Sequence, residues 1–244
     1  MLNPLTIQKL EQLGLKGMAH TLQIQMSDAK IGKLSFDERL GMLVDAELSD
    51  RDGRRIERLL KAAKLRYSSA AVEDIEYRPG RKINQSMVMS LINCEWIRQR
   101  QSLILNGGTG LGKSWLACSI GKQACRNGYS VYYVTATQLF EDMRLALATG
   151  SISKLKRSIS KIELLIIDDF GIGGIDIALG PYLLEIIDLQ SVSGALLITS
   201  QYPSDRWYDL FNDTTIADAV LDRIVHRSHV IKLEGESMRK QAKK

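Results

Sequence analysis

Apolar positions recur at helical spacing through the first hundred residues, then gather into short unbroken runs separated by helical stretches. Leu2, Leu5, Leu10 and Leu13 mark a helix within residues 2–15, broken by Gly14 and Gly17. Further helices are expected over residues 17–29 and 35–49. The second of these opens on the capping box Ser35-Phe36-Asp37-Glu38, where a serine and a glutamate satisfy each other's orphan N–H groups. Two more are expected over residues 50–66 and 84–100. Beyond residue 101 the apolar runs predict strands at 102–106, 130–135, 164–168, 195–200 and 229–233. Strands that alternate with helices imply an α/β fold, a parallel sheet covered on both faces. The pattern divides the chain into an N-terminal helical domain, residues 1–77, and an α/β domain, residues 78–244. The stretch Tyr77-Arg78-Pro79-Gly80-Arg81-Lys82 is the basic connector between them.

Composition adds little to this picture, whereas charge adds more. With 45% hydrophobic and 25% charged residues, the chain has the balance of a folded soluble domain. No apolar run approaches the ~20 residues of a membrane span, and no secretory leader is visible, so a cytoplasmic protein is expected. Cys94, Cys118 and Cys125 lack metal-ligand spacing and form no set with His20, His226 and His229, which fits reduced, buried thiols. The net charge is +5, and it is uneven. Residues 1–100 hold 17 Lys/Arg against 13 Asp/Glu, while residues 101–244 hold 16 against 15. A polyanion bound to the N-terminal part is therefore expected. On a helix over residues 50–66, Arg51, Arg54, Arg55, Arg58, Lys61 and Arg66 project within an arc of about 140°. Ile56, Leu59, Leu60 and Ala63 lie opposite. A face almost all of one sign suits a phosphate backbone, with a merely solvated face as the alternative.

The candidate chemistry lies in the second half. The run Leu103-Ile104-Leu105-Asn106 leads into Gly107-Gly108-Thr109-Gly110-Leu111-Gly112-Lys113-Ser114, which opens a helix. This is a G-x-x-x-x-G-K-S phosphate loop in its strand-to-helix context. Glycines let backbone N–H groups approach phosphate oxygens, and the helix start points its positive end at the same anion. Lys113 is expected on the β and γ phosphates of ATP or GTP, and Ser114 on Mg2+. The strand ending Ile167-Asp168-Asp169-Phe170-Gly171 places Asp168 to hold the metal through water and Asp169 to polarise the attacking water. Aspartate reaches less far than the glutamate often used there, so slow hydrolysis is expected. At the end of the next strand, Ser200 or Gln201 is the candidate γ-phosphate sensor. Arg223 is a candidate arginine finger acting on a neighbouring subunit's nucleotide, or else a surface arginine paired with a local aspartate.

Several stretches carry a family resemblance in register. They are Leu15-Lys16-Gly17-Met18-Ala19, Arg78-Pro79-Gly80-Arg81, Glu95-Trp96-Ile97, the phosphate loop and the acidic pair. They continue with Ile198-Thr199-Ser200-Gln201, Leu221-Asp222-Arg223-Ile224 and Gly235-Glu236-Ser237-Met238-Arg239. Over nearly its whole length the chain resembles the IstB-type AAA+ ATPases, helper proteins of bacterial insertion-sequence transposition. DnaC-type helicase loaders share most of the same core. The resemblance implies a P-loop AAA+ core with strand order 5-1-4-3-2, an N-terminal helical domain and no C-terminal lid. It implies ATP and Mg2+ as cofactors, an ATP-dependent homo-oligomeric ring or spiral on duplex DNA without sequence preference, and a partner transposase. It favours Arg223 as the finger and offers Arg239 as a second nucleotide-sensing residue. One departure stands out: relatives carry a basic turn before the sensor strand, and here Leu189-Gln190-Ser191-Val192-Ser193-Gly194 has no charge. A helicase loader is the alternative reading, and a small-molecule phosphotransferase a more distant one.

Overall fold

The computed structural model describes residues 4–77, 80, 82–211, 213–225 and 228–238. They form two compact units, one ending at Arg58 and one beginning at Leu59.

The first unit is helical. It contains α1 (Pro4–Gln12), α2 (Lys16–Ser27), a 3-10 turn at Ile31–Lys33 and most of α3 (Phe36–Ala63). Helices α2 and α3 meet at Gly17, where an added Cβ would sit 2.4 Å from the Ala46 carbonyl oxygen, so only glycine lets the backbones approach. Buried Glu47 accepts hydrogen bonds from the Gly17 and Met18 N–H groups at 2.9 and 3.3 Å. A carboxylate thus neutralises the positive start of α2. The expected capping box forms: Ser35 N–H donates to Glu38 Oε2 at 2.8 Å, and Glu38 N–H to Ser35 Oγ at 3.3 Å. The expected break between residues 49 and 50 does not occur, because α3 runs unbroken for 28 residues. Pairs one turn apart, Arg51 with Glu47 and Arg54 with Asp50, stitch the helix across that point.

In the second unit, α3 stops at Ala63 because Lys64 takes a left-handed φ of 53°. The remaining helices are α4 (Gln85–Ile92), α5 (Glu95–Arg98), α6 (Lys113–Arg126), α7 (Ala136–Ala148), α8 (Ile152–Ile159), α9 (Gly180–Ser193) and α10 (Thr214–Val225). The single helix expected over residues 84–100 is two, divided at buried Cys94 with φ 57°. Five parallel strands, β1 (Ser102–Asn106), β2 (Val131–Thr135), β3 (Leu164–Phe170), β4 (Ala195–Ser200) and β5 (Ser228–Lys232), lie in the order β2-β3-β4-β1-β5. Read from the other edge, this is the expected 5-1-4-3-2. Period-2 alternation splits the core between the two faces of the sheet. Leu103, Leu105, Leu164 and Ile166 pack with α4, α5 and α6; Ile104, Leu165, Ile167 and Ile198 pack with α7, α9 and α10. All three cysteines are buried and free, and burial pushes the Cys118 and Cys125 thiols up to about 11, so both stay protonated and inert. The uncharged 189–194 segment is the last turn of α9. Its buried Gln190 donates to the Ile162 and Ala195 carbonyls and shapes the entry to β4.

Candidate nucleotide site

Ligands in open α/β sheets bind beyond the carboxyl ends of the strands, and here β1, β3 and β4 end together. The loop after β1 is pinned at its start. Gly107 N–H donates to the Ser200 carbonyl at 3.2 Å, and Leu233 N–H to the Asn106 carbonyl at 2.7 Å. Gly107, Gly110 and Gly112 take positive φ values of 150°, 84° and 81°. At Gly107 a Cβ would also meet the Leu233 carbonyl oxygen at 2.5 Å. Met238 N–H donates to the Gly110 carbonyl at 2.9 Å, so the segment after β5 rests on the loop. Lys113, the first residue of α6, is only 5% exposed, and its Nζ donates to the Gly107 and Gly108 carbonyls at 2.8 and 2.9 Å. A buried ammonium folded over the loop, next to a helix N-terminus, suits a phosphate anion.

The acidic pair is held differently at its two positions. Asp168 is fully buried, and its two carboxylate oxygens accept hydrogen bonds from Tyr133 Oη and Thr199 Oγ1, each at 2.5 Å. Burial, then the bond to Asp168, pushes the Tyr133 phenol well above its ordinary range, so it remains a donor. Asp169 has φ 58° and lines a cavity of about 700 Å3 together with Thr109, Lys113, Ser114, Trp115 and Gln201. Gln201 Oε1 accepts from Thr109 Oγ1 at 2.7 Å, which brings the end of β4 to the phosphate loop. Ser200 is not brought there. Its hydroxyl is buried, donates to the Phe170 carbonyl at 2.8 Å and accepts from Tyr202 N–H at 3.1 Å. Of the two sensor candidates, the geometry leaves Gln201 facing the cavity.

Arg66 departs from the face projected for it. Since α3 ends at Ala63, Arg66 lies on the cavity wall beside Tyr67, 5.5 Å above that ring's centroid. Tyr67, Tyr133 and Asp168 together raise its pKa, so it stays a cation there. Arg51, Arg54, Arg55 and Arg58 do share a hollow with Gly14. Arg51 is paired with Glu47, and Arg54 with Asp50 at 2.7 Å. Lys61 is exposed on the same helix. Arg223 lines a separate groove with Tyr208 and Asp218, away from its own phosphate loop. Its Nε pairs with Asp188 on α9, and its Nη1 donates to the Ala219 carbonyl at 2.8 Å. Arg239 lies outside the described residues, as do Arg78, Pro79 and Arg81.

Sequence reasoning missed Tyr133, Thr199 and the cavity-side place of Arg66. It also passed over α8 and its flank, where Lys154, Arg157 and Lys161 are exposed and residues 149–162 contain no carboxylate. Three exposed cations at 154, 157 and 161 in a stretch without a carboxylate were a readable signal, with Lys154 and Arg157 on α8 and Lys161 in the turn after it. No group of three or more His, Cys, Asp or Glu able to hold a metal occurs among the described residues. No described helix is long and apolar enough to cross a membrane.

A family described as IstB-like ATP binding protein matches residues 8–244, and the chain belongs to that family. It is 44% identical over 204 residues to a Pseudomonas fluorescens protein described as an ATP-binding protein of insertion sequence IS1162. That match spans 84% of this chain and 88% of the relative. Among solved structures it is similar to AMPPCP-bound DnaA from Aquifex aeolicus, with TM-score 0.59 and 17% identity over 71% of this chain and 52% of that one. It is also similar to the DnaC helicase loader, with TM-score 0.56 and 17% identity over 69% of this chain and 99% of that one. At such identities the likeness is one of fold.

Proposed function

From that family membership, we propose that the protein is an ATPase that assembles as a homo-oligomer on duplex DNA and stimulates a partner transposase, with hydrolysis timing its release. The observation that supports this most directly is the meeting, at one cavity, of the glycine loop, buried Lys113 and Asp169, with Asp168 buried next to it in the chain. ATP binding draws Lys113 from the Gly107 and Gly108 carbonyls onto β and γ phosphate oxygens, while N–H groups of the loop and α6 hold the others. The Ser114 hydroxyl and the Asp168 carboxylate are oxygen donors of the kind Mg2+ takes, and these residues would hold the ion, Asp168 through water. When bound, that ion would withdraw charge from the phosphoryl oxygens.

Asp169 accepts a proton from the attacking water as the water oxygen bonds to the γ phosphorus. The bond to the β–γ bridging oxygen breaks, giving ADP and phosphate. Gln201, released from Thr109, would then sense the γ phosphate. Arg223 would leave Asp188 to meet a neighbour's nucleotide, so interface strength follows nucleotide state; Arg239 would be a second nucleotide-sensing residue. The arginines of α3, with Lys61, would contact DNA phosphates, giving sequence-independent, salt-sensitive binding.

Electron microscopy of the protein with duplex DNA, with and without a non-hydrolysable ATP analogue, tests this reading. Rings or spirals on DNA that need the analogue are expected. Their absence favours the second reading, a helicase loader, for which the observation is the fold shared with 99% of the solved DnaC helicase loader chain. Co-precipitation with a hexameric helicase rather than a transposase would then follow.

A further inference from the structure

A regular strand sends neighbouring side chains to opposite faces, so two consecutive carboxylates cannot both serve one site without a local change of backbone. Strand β3 makes that change. Ile167 pairs with Ile198 and Phe170 with Ser200, so Asp168 and Asp169 together oppose the single residue Thr199. This is a bulge, with Asp169 in the left-handed region at φ 58°. A residue with a Cβ holds that conformation only where its surroundings impose it. Thr199 imposes it through one hydroxyl. Its Oγ1 accepts the Asp169 N–H at 2.9 Å and gives its own proton to Asp168 Oδ1 at 2.5 Å. From the other flanking strand, Tyr133 supplies the hydroxyl on Asp168 Oδ2. Thr199 and Asp168 are both fully buried, so water does not compete for these bonds. Neither Thr199 nor Tyr133 lines the cavity that Asp169 faces.

We infer that Thr199 is the positioning residue of the acidic pair: its hydroxyl fixes both the Asp168 carboxylate and the backbone turn that aims Asp169 at the cavity. The inference rests on the ATPase reading. Loss of the hydroxyl would let Asp169 relax out of the left-handed turn and leave Asp168 short of a donor. Lys113 and the loop would be untouched, so turnover would suffer and nucleotide binding would not.

The test compares Thr199→Val, which keeps the branched shape without the hydroxyl, with Thr199→Ser, which keeps the hydroxyl. ATP hydrolysis by the full chain is measured across a Mg2+ series, alongside binding of a fluorescent non-hydrolysable ATP analogue. Valine is expected to lower kcat by about 10- to 100-fold and to raise the Mg2+ concentration needed for half-maximal rate. KM and analogue binding should stay within about threefold, and serine should recover kcat to within about threefold of wild type. Wild-type turnover in the valine variant, or serine as slow as valine, overturns the inference. Should the valine variant lack the wild-type melting transition, Thr199→Ala replaces it under the same criteria. A wild type that hydrolyses no ATP removes the ATPase reading and this inference with it. An active wild type matched by the valine variant removes only the role of Thr199.

Discussion

The phosphate-loop region and the N-terminal helical unit both gather charge, yet they hold it in opposite ways. At the loop, the backbone sets the geometry. Positive-φ glycines, a bulge and a helix start fix where Lys113, Asp168 and Asp169 stand, and buried partners lock them. On α3 the arginines are side chains on one long exposed surface, and their freedom depends on which acids fall one turn away. The first arrangement is preorganised for a single anion in one pose; the second suits a polyanion met in many registers. Substitutions should therefore act as switches at the loop and as graded changes on the helix.

The largest effect is expected from Lys113→Ala. It removes the buried cation and should abolish measurable binding of a fluorescent ATP analogue while leaving the melting transition in place. Retained binding would mean that backbone N–H groups alone carry the site. Asp169→Asn is expected next, with hydrolysis at least about 100-fold slower and analogue binding within about threefold. Under the proposed coupling of hydrolysis to release, this variant should remain on duplex DNA after ATP is added, as read by filter binding over time. Dissociation at the wild-type rate would break the link between hydrolysis and disassembly.

These two regions also differ in how far the sequence could be read. The loop, the acidic pair and all five strands were legible, because each is a contiguous stretch whose spacing is dictated by local backbone geometry. Thr199 was not, since its partner Asp168 is 31 positions away and only the β3–β4 register brings them together. The choice of Gln201 over Ser200 likewise needed the strand's facing, which a one-residue ambiguity reverses. On α3 the projection began at residue 50 and so omitted Glu47, the acid that claims Arg51. It also ran past Ala63, although the Lys64 turn that ends the helix carries no glycine or proline to announce it. A helical projection carried past that turn puts Arg66 on the arginine face, whereas the structure holds it on the cavity wall.

That correction makes the DNA-facing reading of α3 sharper and easier to break. Among the described residues no carboxylate pairs with Arg58, whereas Arg51 is already engaged by Glu47. Arg58→Ala should weaken duplex binding several-fold and reduce the slope of log affinity against log salt by about 1. Arg51→Ala should change that slope less. Equal slopes for both variants would mean that the ion pair opens on DNA at no cost, and unchanged affinity in both would move the contact elsewhere on the molecule.

The smallest expected effect concerns the joint between α2 and α3. The hydrogen bond from Arg51, offset by burial and aided by the Met18 and Gly17 N–H groups, holds the Glu47 carboxyl below the usual carboxylate range. A carboxyl lowered on folding contributes stability above its unfolded pKa and loses it as pH falls through the folded value. Between about pH 7 and about pH 3, hydrogen-exchange protection of the Gly17 and Met18 amides should therefore decline in the wild type. Glu47→Gln should start from lower protection and change little over the same range, because it carries no titrating group at the α2 start. A wild-type profile as flat as the glutamine variant's would mean that the close approach at Gly17, rather than the carboxylate, holds these helices together.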